Sequence, residues 1–147
     1  MNPPDATDIL LVEDNPRDAE LTLRSFKKHH IANEVFVAED GALALDFVFH
    51  RGEFAGRADM NQPKVILLDI KLPKLSGLEV LREIKSKPET RGIPVVMVTS
   101  SREDPDIKAA YDLGANSYVV KPVEFAEFQD VVRTIGLYWL LVNQPAG

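Results

Sequence analysis

Apolar residues gather along this chain in short blocks, and four of the blocks stop at a polar side chain. Ile9 to Val12 runs into Glu13 and Asp14, Val65 to Leu68 into Asp69, Val95 to Val98 into Thr99, and Tyr118 to Val120 into Lys121. Each block is continuous rather than alternating, the pattern of a strand buried on both faces. Glu34 to Ala38 reads as a further short strand. Between the blocks the apolar period lengthens to that of a helix. Asn15 can cap a helix whose first-turn Pro16 has no N–H to orphan, with Ala19, Leu23 and Phe26 on one face. Asp40 can cap the next, with Ala44, Phe47 and Val48 at helical spacing, before an irregular connection from Glu53 to Pro63 that is longer than most. Pro73 and Gly77 punctuate the turn before a third helix carrying Val80, Leu81 and Ile84 inward. Asp104 and Pro105 open a fourth, with Ile107, Ala110, Tyr111 and Gly114 along one face and Gly114 as its C-terminal cap. Beyond Val120 the chain reads as one long helical pattern. Five alternations of strand and helix predict an α/β fold with a parallel sheet covered on both sides.

Composition narrows the class. The 147 residues, 45% hydrophobic and 27% charged, suffice for one core and leave little room for a second domain. Without cysteine there is neither a disulfide framework nor a thiolate metal site. Residues 1–8 lack the basic start and apolar stretch of a signal peptide, and no run approaches the ~20 apolar residues of a membrane span. A cytoplasmic location without membrane contact is the expectation. The net charge of −6 and pI near 5.1 disfavour nonspecific contact with nucleic acid.

Ligands of open α/β sheets bind at the carboxyl ends of the strands, which is where Glu13, Asp14, Asp69, Thr99 and Lys121 fall. Glu13, Asp14 and Asp69 offer hard oxygen ligands suited to Mg²⁺ or Mn²⁺, and without a cation they would repel one another. The backbone carbonyl of Lys71, two residues past Asp69, can add a further ligand. Phosphoryl transfer needs charge neutralised on the equatorial oxygens, and Lys121 and Thr99 supply a cation and a hydroxyl for it. Asp69, ending the middle strand, is the candidate nucleophile. Singly, each residue also reads as a solvated turn or a helix cap; together at four strand ends they read as a site.

These residues resemble a known family. Leu10 to Asp14 with Asn15 and Pro16, Leu67 to Lys71 with Leu72, Pro73 and Gly77, Val96 to Ser100, and Ser117 to Pro122 look like the receiver domain of bacterial two-component response regulators. The resemblance covers residues 8–135 and implies a flavodoxin-like five-stranded sheet of order 2-1-3-4-5 with five helices. It implies that a sensor histidine kinase passes a phosphoryl group to Asp69, that Glu13, Asp14 and Asp69 hold the metal, and that Lys121 binds the phosphoryl oxygen. It also implies that Thr99 and Tyr118 form a switch pair acting on the surface of helix four, strand five and helix five. The chain would then be a signalling phosphoacceptor whose only catalysis is Mg²⁺-dependent self-phosphorylation and self-dephosphorylation. Lys71 stands where many relatives have an uncharged residue, and with Ser101 it bears on the lifetime of the modified state.

Residues 136–147 read as a C-terminal extension with no separate output domain. Phe125, Phe128, Val132, Ile135, Trp139 and Val142 form a core-facing stripe, and Val131, Tyr138 and Leu141 a second apolar row beside it. That row predicts a homodimer through Val131, Tyr138, Trp139 and Leu141. Gly136 is a place for the helix to bend or break. The tail with Tyr138, Trp139 and Leu140, and the stretch from Phe47 to Pro63, are similar to small response regulators that partner phytochrome-type histidine kinases. A generic chemotaxis-type or phosphorelay receiver is the alternative, ahead of a pseudo-receiver binding module. A hydrolase with an Asp nucleophile would need a second Asp where Lys71 stands. His29 and His30 are expected to face solvent at a helix end, and His50 to lie at the surface.

Overall fold

In a computed structural model of the chain, residues 7–29, 33–57 and 62–137 are described. The elements run β1 (Ile9–Val12), α1 (Pro16–Lys28), β2 (Val35–Ala38), α2 (Gly41–Val48), a 3-10 turn at Gly52–Phe54, β3 (Val65–Asp69), α3 (Gly77–Ser86), β4 (Val95–Thr99), α4 (Asp106–Asp112), β5 (Ser117–Val120) and α5 (Phe125–Thr134). All strand pairs are parallel, in the order β2-β1-β3-β4-β5. This is the flavodoxin-like arrangement, with β1 and β3 neighbours at the point where the strand order reverses.

Side-chain alternation along the strands divides the core in two. Leu10, Val12, Ile66, Leu68, Val95 and Met97 pack under α2, α3 and α4, with Phe47, Leu81 and Ile84. Ile9, Leu11, Val65, Leu67, Val96, Val98 and Val119 pack under α1 and α5, with Phe26, Phe128 and Val132. The central strands are buried on both faces, which is why they read as unbroken apolar runs.

The expected caps are present. The Asn15 side chain accepts from the amides of Arg17 and Asp18, Asp40 from that of Leu43, and Gly114 closes α4 at φ +106°. Elsewhere the structure differs from the sequence reading. The helix from Phe125 ends at Thr134, and Gly136 at φ +89° turns the chain out of it, so the long helical pattern is broken where glycine permits a left-handed residue. Tyr111 is 45% exposed rather than inward, its ring edge-on to Tyr118 at 6.3 Å. His29 does not face solvent: its half-buried ring stacks on Phe125 at 4.3 Å and Nδ1 lies 2.9 Å from the Ser25 carbonyl. The end of α1 lies against the start of α5, so the flat face of the imidazole covers apolar surface there. His50 is half-buried at φ +54°, directly after the residue that caps α2. The first part of the connection after α2, as far as Arg57, is tied to the core, because Phe54 is buried against Phe36 and Phe47 and the guanidinium of Arg57 lies 3.8 Å over the Phe47 ring. Among the described residues, no helix is long and apolar enough to cross a membrane.

Candidate functional site

Glu13, Asp69 and Lys121 each continue the strand alternation that faces α1 and α5, being two residues beyond Leu11, Leu67 and Val119. The carboxyl ends of β1, β3 and β5 therefore bring them together. Lys121 Nζ donates to Asp69 Oδ2 at 2.8 Å and lies 2.9 Å from Glu13 Oε1. A third carboxylate joins them, Asp18 Oδ2 at 3.1 Å, from the first turn of α1. Sequence reading missed Asp18, since an acid in the first turn of a helix is already accounted for by the helix dipole. Asn15 sets the direction of that turn, and its own amide donates to Glu13 Oε2 at 3.2 Å.

Asp69 is held at both oxygens, because the Lys71 amide donates to Oδ1 at 3.1 Å. The turn after it is closed by Gly77, whose amide donates to the Ile70 carbonyl. A Cβ at Gly77 would lie 2.1 Å from the Asp69 carbonyl oxygen, so the close approach of α3 to the end of β3 requires glycine. The cleft over these groups, about 180 Å³, is lined by Asp14, Asn15, Asp18, Asp69, Lys71, Ser100 and Lys121.

The electrostatics are unbalanced. Burial pushes the Glu13 carboxyl up from 4.5 to about 7; the Lys121 ammonium works against that shift and the Asp69 charge adds to it. For Lys121 burial favours the neutral amine, but the bonds to Asp69, Glu13 and Asp18 outweigh it and hold the ammonium above the ordinary lysine value. Carboxylate oxygens of Glu13, Asp14 and Asp69 lie within 4.8 Å of one another. Three hard oxygen donors, two of them buried and sharing one ammonium, fit a divalent cation such as Mg²⁺ or Mn²⁺.

Thr99 and Tyr118 lie on the opposite side of the sheet edge. Thr99 is 1% exposed and continues the alternation of Val95 and Met97, while Tyr118 pairs with Met97 and packs against the same core. The Thr99 hydroxyl lies 3.1 Å from both the Ser101 carbonyl and Asp104 Oδ2. Val131 is half-buried against the core under α5. Tyr138, Trp139 and Leu141 lie outside the described residues, as does His30.

Residues 9–133 match the response regulator receiver domain. The chain belongs to that family. As a structure it is similar to the bacteriophytochrome response regulator AtBRR, at 51% identity and a TM-score of 0.85, covering 96% of this chain and 100% of that one. It is 41% identical over 140 residues, 95% of this chain and 87% of the relative, to a protein of Methanothrix harundinacea described as probable methanogenesis regulatory protein FilR2. It is 38% identical over 146 residues to response regulator Rcp1 of Synechocystis sp., covering 99% of this chain and 96% of that protein. The Mn²⁺-bound structure of Rcp1 superposes with a TM-score of 0.72, again at 38% identity, over 95% of this chain and 99% of that one. The protein is thus a receiver-type signalling regulator, similar over nearly its whole length to phytochrome response regulators.

Proposed function

We propose that Asp69 accepts a phosphoryl group from a sensor histidine kinase of the phytochrome type. The observation that carries this reading is the surrounding of Asp69: an ammonium at 2.8 Å on one oxygen, an amide on the other, and two further carboxylates within 4.8 Å. Asp69 Oδ attacks phosphorus as the bond from phosphorus to the kinase histidine nitrogen breaks, which leaves an acyl phosphate on Asp69 and a neutral imidazole on the kinase. Glu13, Asp14 and Asp69, with the carbonyl of Lys71, would hold Mg²⁺ or Mn²⁺, which supplies charge neutralisation at the transferred group. Lys121, drawn from Glu13 and Asp18, binds a phosphoryl oxygen, and the chain itself catalyses only gain from small phosphodonors and loss to water. The kinase assignment rests on the likeness to the bacteriophytochrome response regulator AtBRR, at 51% identity over nearly the whole chain.

Thr99 and Tyr118 carry the signal. Phosphorylation adds close to two negative charges and three acceptor oxygens at Asp69, and the Thr99 hydroxyl turns toward them. The Tyr118 ring follows, and the surface of α4, β5 and α5 becomes the contact for a protein partner. Val131, Tyr138, Trp139 and Leu141 are proposed to join two copies of the chain; truncation at Gly136 should lower the mass seen by light scattering.

The test is incubation with acetyl phosphate and Mg²⁺, read by intact mass. A Mg²⁺-dependent phosphoryl adduct is expected, and Asp69→Asn should abolish it. A folded wild-type protein that gains no adduct would overturn the reading of Asp69 as nucleophile. Transfer from a phytochrome-type kinase is expected in turn. Transfer only from a chemotaxis-type kinase would move the chain to the generic receivers.

A further inference from the structure

The Thr99 hydroxyl has one proton to donate and two acceptors within reach, one of them a carboxylate. Asp104 Oδ2 lies 3.1 Å from Thr99 Oγ1; the other acceptor at that distance is the neutral carbonyl of Ser101. Thr99 is 1% exposed, so this proton needs a protein acceptor, and an ionised one makes the stronger bond. The second oxygen of Asp104 is used at the same time. Oδ1 accepts from the amide of Asp106, the first residue of α4, at 2.9 Å. The Asp104 carbonyl accepts from Ile107, and Pro105 makes no side-chain cap. One carboxylate thus ties the last residue of β4 to the first turn of α4.

We propose that Asp104 is a positioning residue that holds the Thr99 hydroxyl away from Asp69 and thereby sets the cost of the switch, an inference that rests on the phosphoacceptor reading above. A hydroxyl that donates to Asp104 cannot donate to a phosphoryl oxygen. When Thr99 turns, Asp104 loses its hold on β4, and the start of α4 is released from the sheet edge. The same bond that opposes activation therefore couples the modified site to α4.

Asparagine at this position separates the two duties. It has a single side-chain oxygen, which can cap Asp106 as aspartate does, and its amide group cannot accept the Thr99 proton. Helix capping is kept, and although the amide N–H can still donate to Thr99 Oγ1, the Thr99 proton loses its charged acceptor and is free to turn toward a phosphoryl oxygen. In titrations of the full chain with beryllofluoride and Mg²⁺, followed by calorimetry, Asp104→Asn should bind about fivefold more tightly than wild type, the difference between a charge-assisted and a neutral hydrogen bond. Asp104→Ser, which can still cap but is too short to reach Thr99, should do the same. With Thr99→Val in place, Asp104→Asn should change the affinity by less than about twofold, because the effect acts through the hydroxyl. Unchanged affinity in both Asp104 variants, or an equal gain with Thr99→Val present, would overturn the proposal while the wild type still binds the mimic. A wild type that fails to bind it overturns the phosphoacceptor reading, and this inference with it.

Discussion

β1 has a carboxylate just before it and another just after it, and the two ends of the sheet treat them in opposite ways. At the amino end, Asp8 meets Lys64 Nζ at 2.8 Å, the Glu34 amide at 3.0 Å and Asn33 Nδ2 at 3.4 Å. Burial acts to raise its pKa, but those donors together hold it below the ordinary 3.8. At the carboxyl end, Glu13 shares one ammonium with Asp18 and Asp69, and burial pushes it up to about 7. Residue types are the same at both ends; the balance of charge is not. One carboxylate with its own cation and amides is a tie between strands. Several carboxylates around one cation, in a cleft, leave a surplus of negative charge that a metal ion can neutralise, and surplus of that kind points to chemistry rather than to stability.

The largest test of this contrast removes each lysine. Lys121→Met should lower the unfolding free energy by about 3 kcal/mol in urea at neutral pH without divalent cation, since it strands partly buried carboxylates. Adduct formation on Asp69 should fall at least tenfold, by roughly the amount that one lost charge contact costs a transition state. Lys64→Met at the other end, where the pair is half in water, should cost less than about 1 kcal/mol and leave the adduct intact. Equal losses from the two lysines would break the contrast. Gly77→Ala comes next: its Cβ meets the backbone carbonyl of Asp69, which cannot swing aside, so a loss of roughly 2 kcal/mol with a lower adduct yield is expected. A melting temperature equal to that of the wild type would show that β3 and α3 can separate there without harm.

Much of the carboxyl end was legible because it lies at the ends of apolar runs. The strands that deliver Glu13, Asp69 and Thr99 are buried on both faces, so each writes its own boundary into the sequence, whereas the edge strand β5, with only Val119 buried, marks Lys121 by the end of a shorter apolar run. Asp18 was not legible, because its bond to Lys121 joins positions 103 apart and the first helical turn explains an acid without it. Arg57 was hidden for a similar reason. It falls in an irregular stretch, and only the fold lays it over Phe47. His29 was misread because the helix dipole is a local rule, whereas its stacking on Phe125 depends on α1 meeting α5. Local patterns gave the strand ends and the caps; what needed the fold was the partner that each charged group finds across it.

A smaller effect is expected from Thr99→Val, which keeps the shape and removes the hydroxyl. It should cost about 1 kcal/mol, since the Asp104 oxygen it abandons is partly open to water, and the adduct on Asp69 should still form. The Tyr118 ring resonances should then no longer move with beryllofluoride. If they do, the hydroxyl is not the link between the two sides of the sheet edge.

The smallest effect sharpens the amino end. Asp8→Ala should cost about 1 kcal/mol near neutral pH, and the cost should depend on pH in a stated direction. Because the folded protein holds Asp8 below 3.8, the unfolded chain binds more protons there, and stability falls as the pH drops through that range. The advantage of the wild type is therefore complete above the ordinary carboxylate value and disappears as the pH falls through the lowered one. Urea unfolding of both proteins from neutral to acid pH should show the two curves converging. A gap that stayed constant would mean that Asp8 stabilises the fold without its charge, and the ionic balance at that end of β1 would no longer distinguish it from the other.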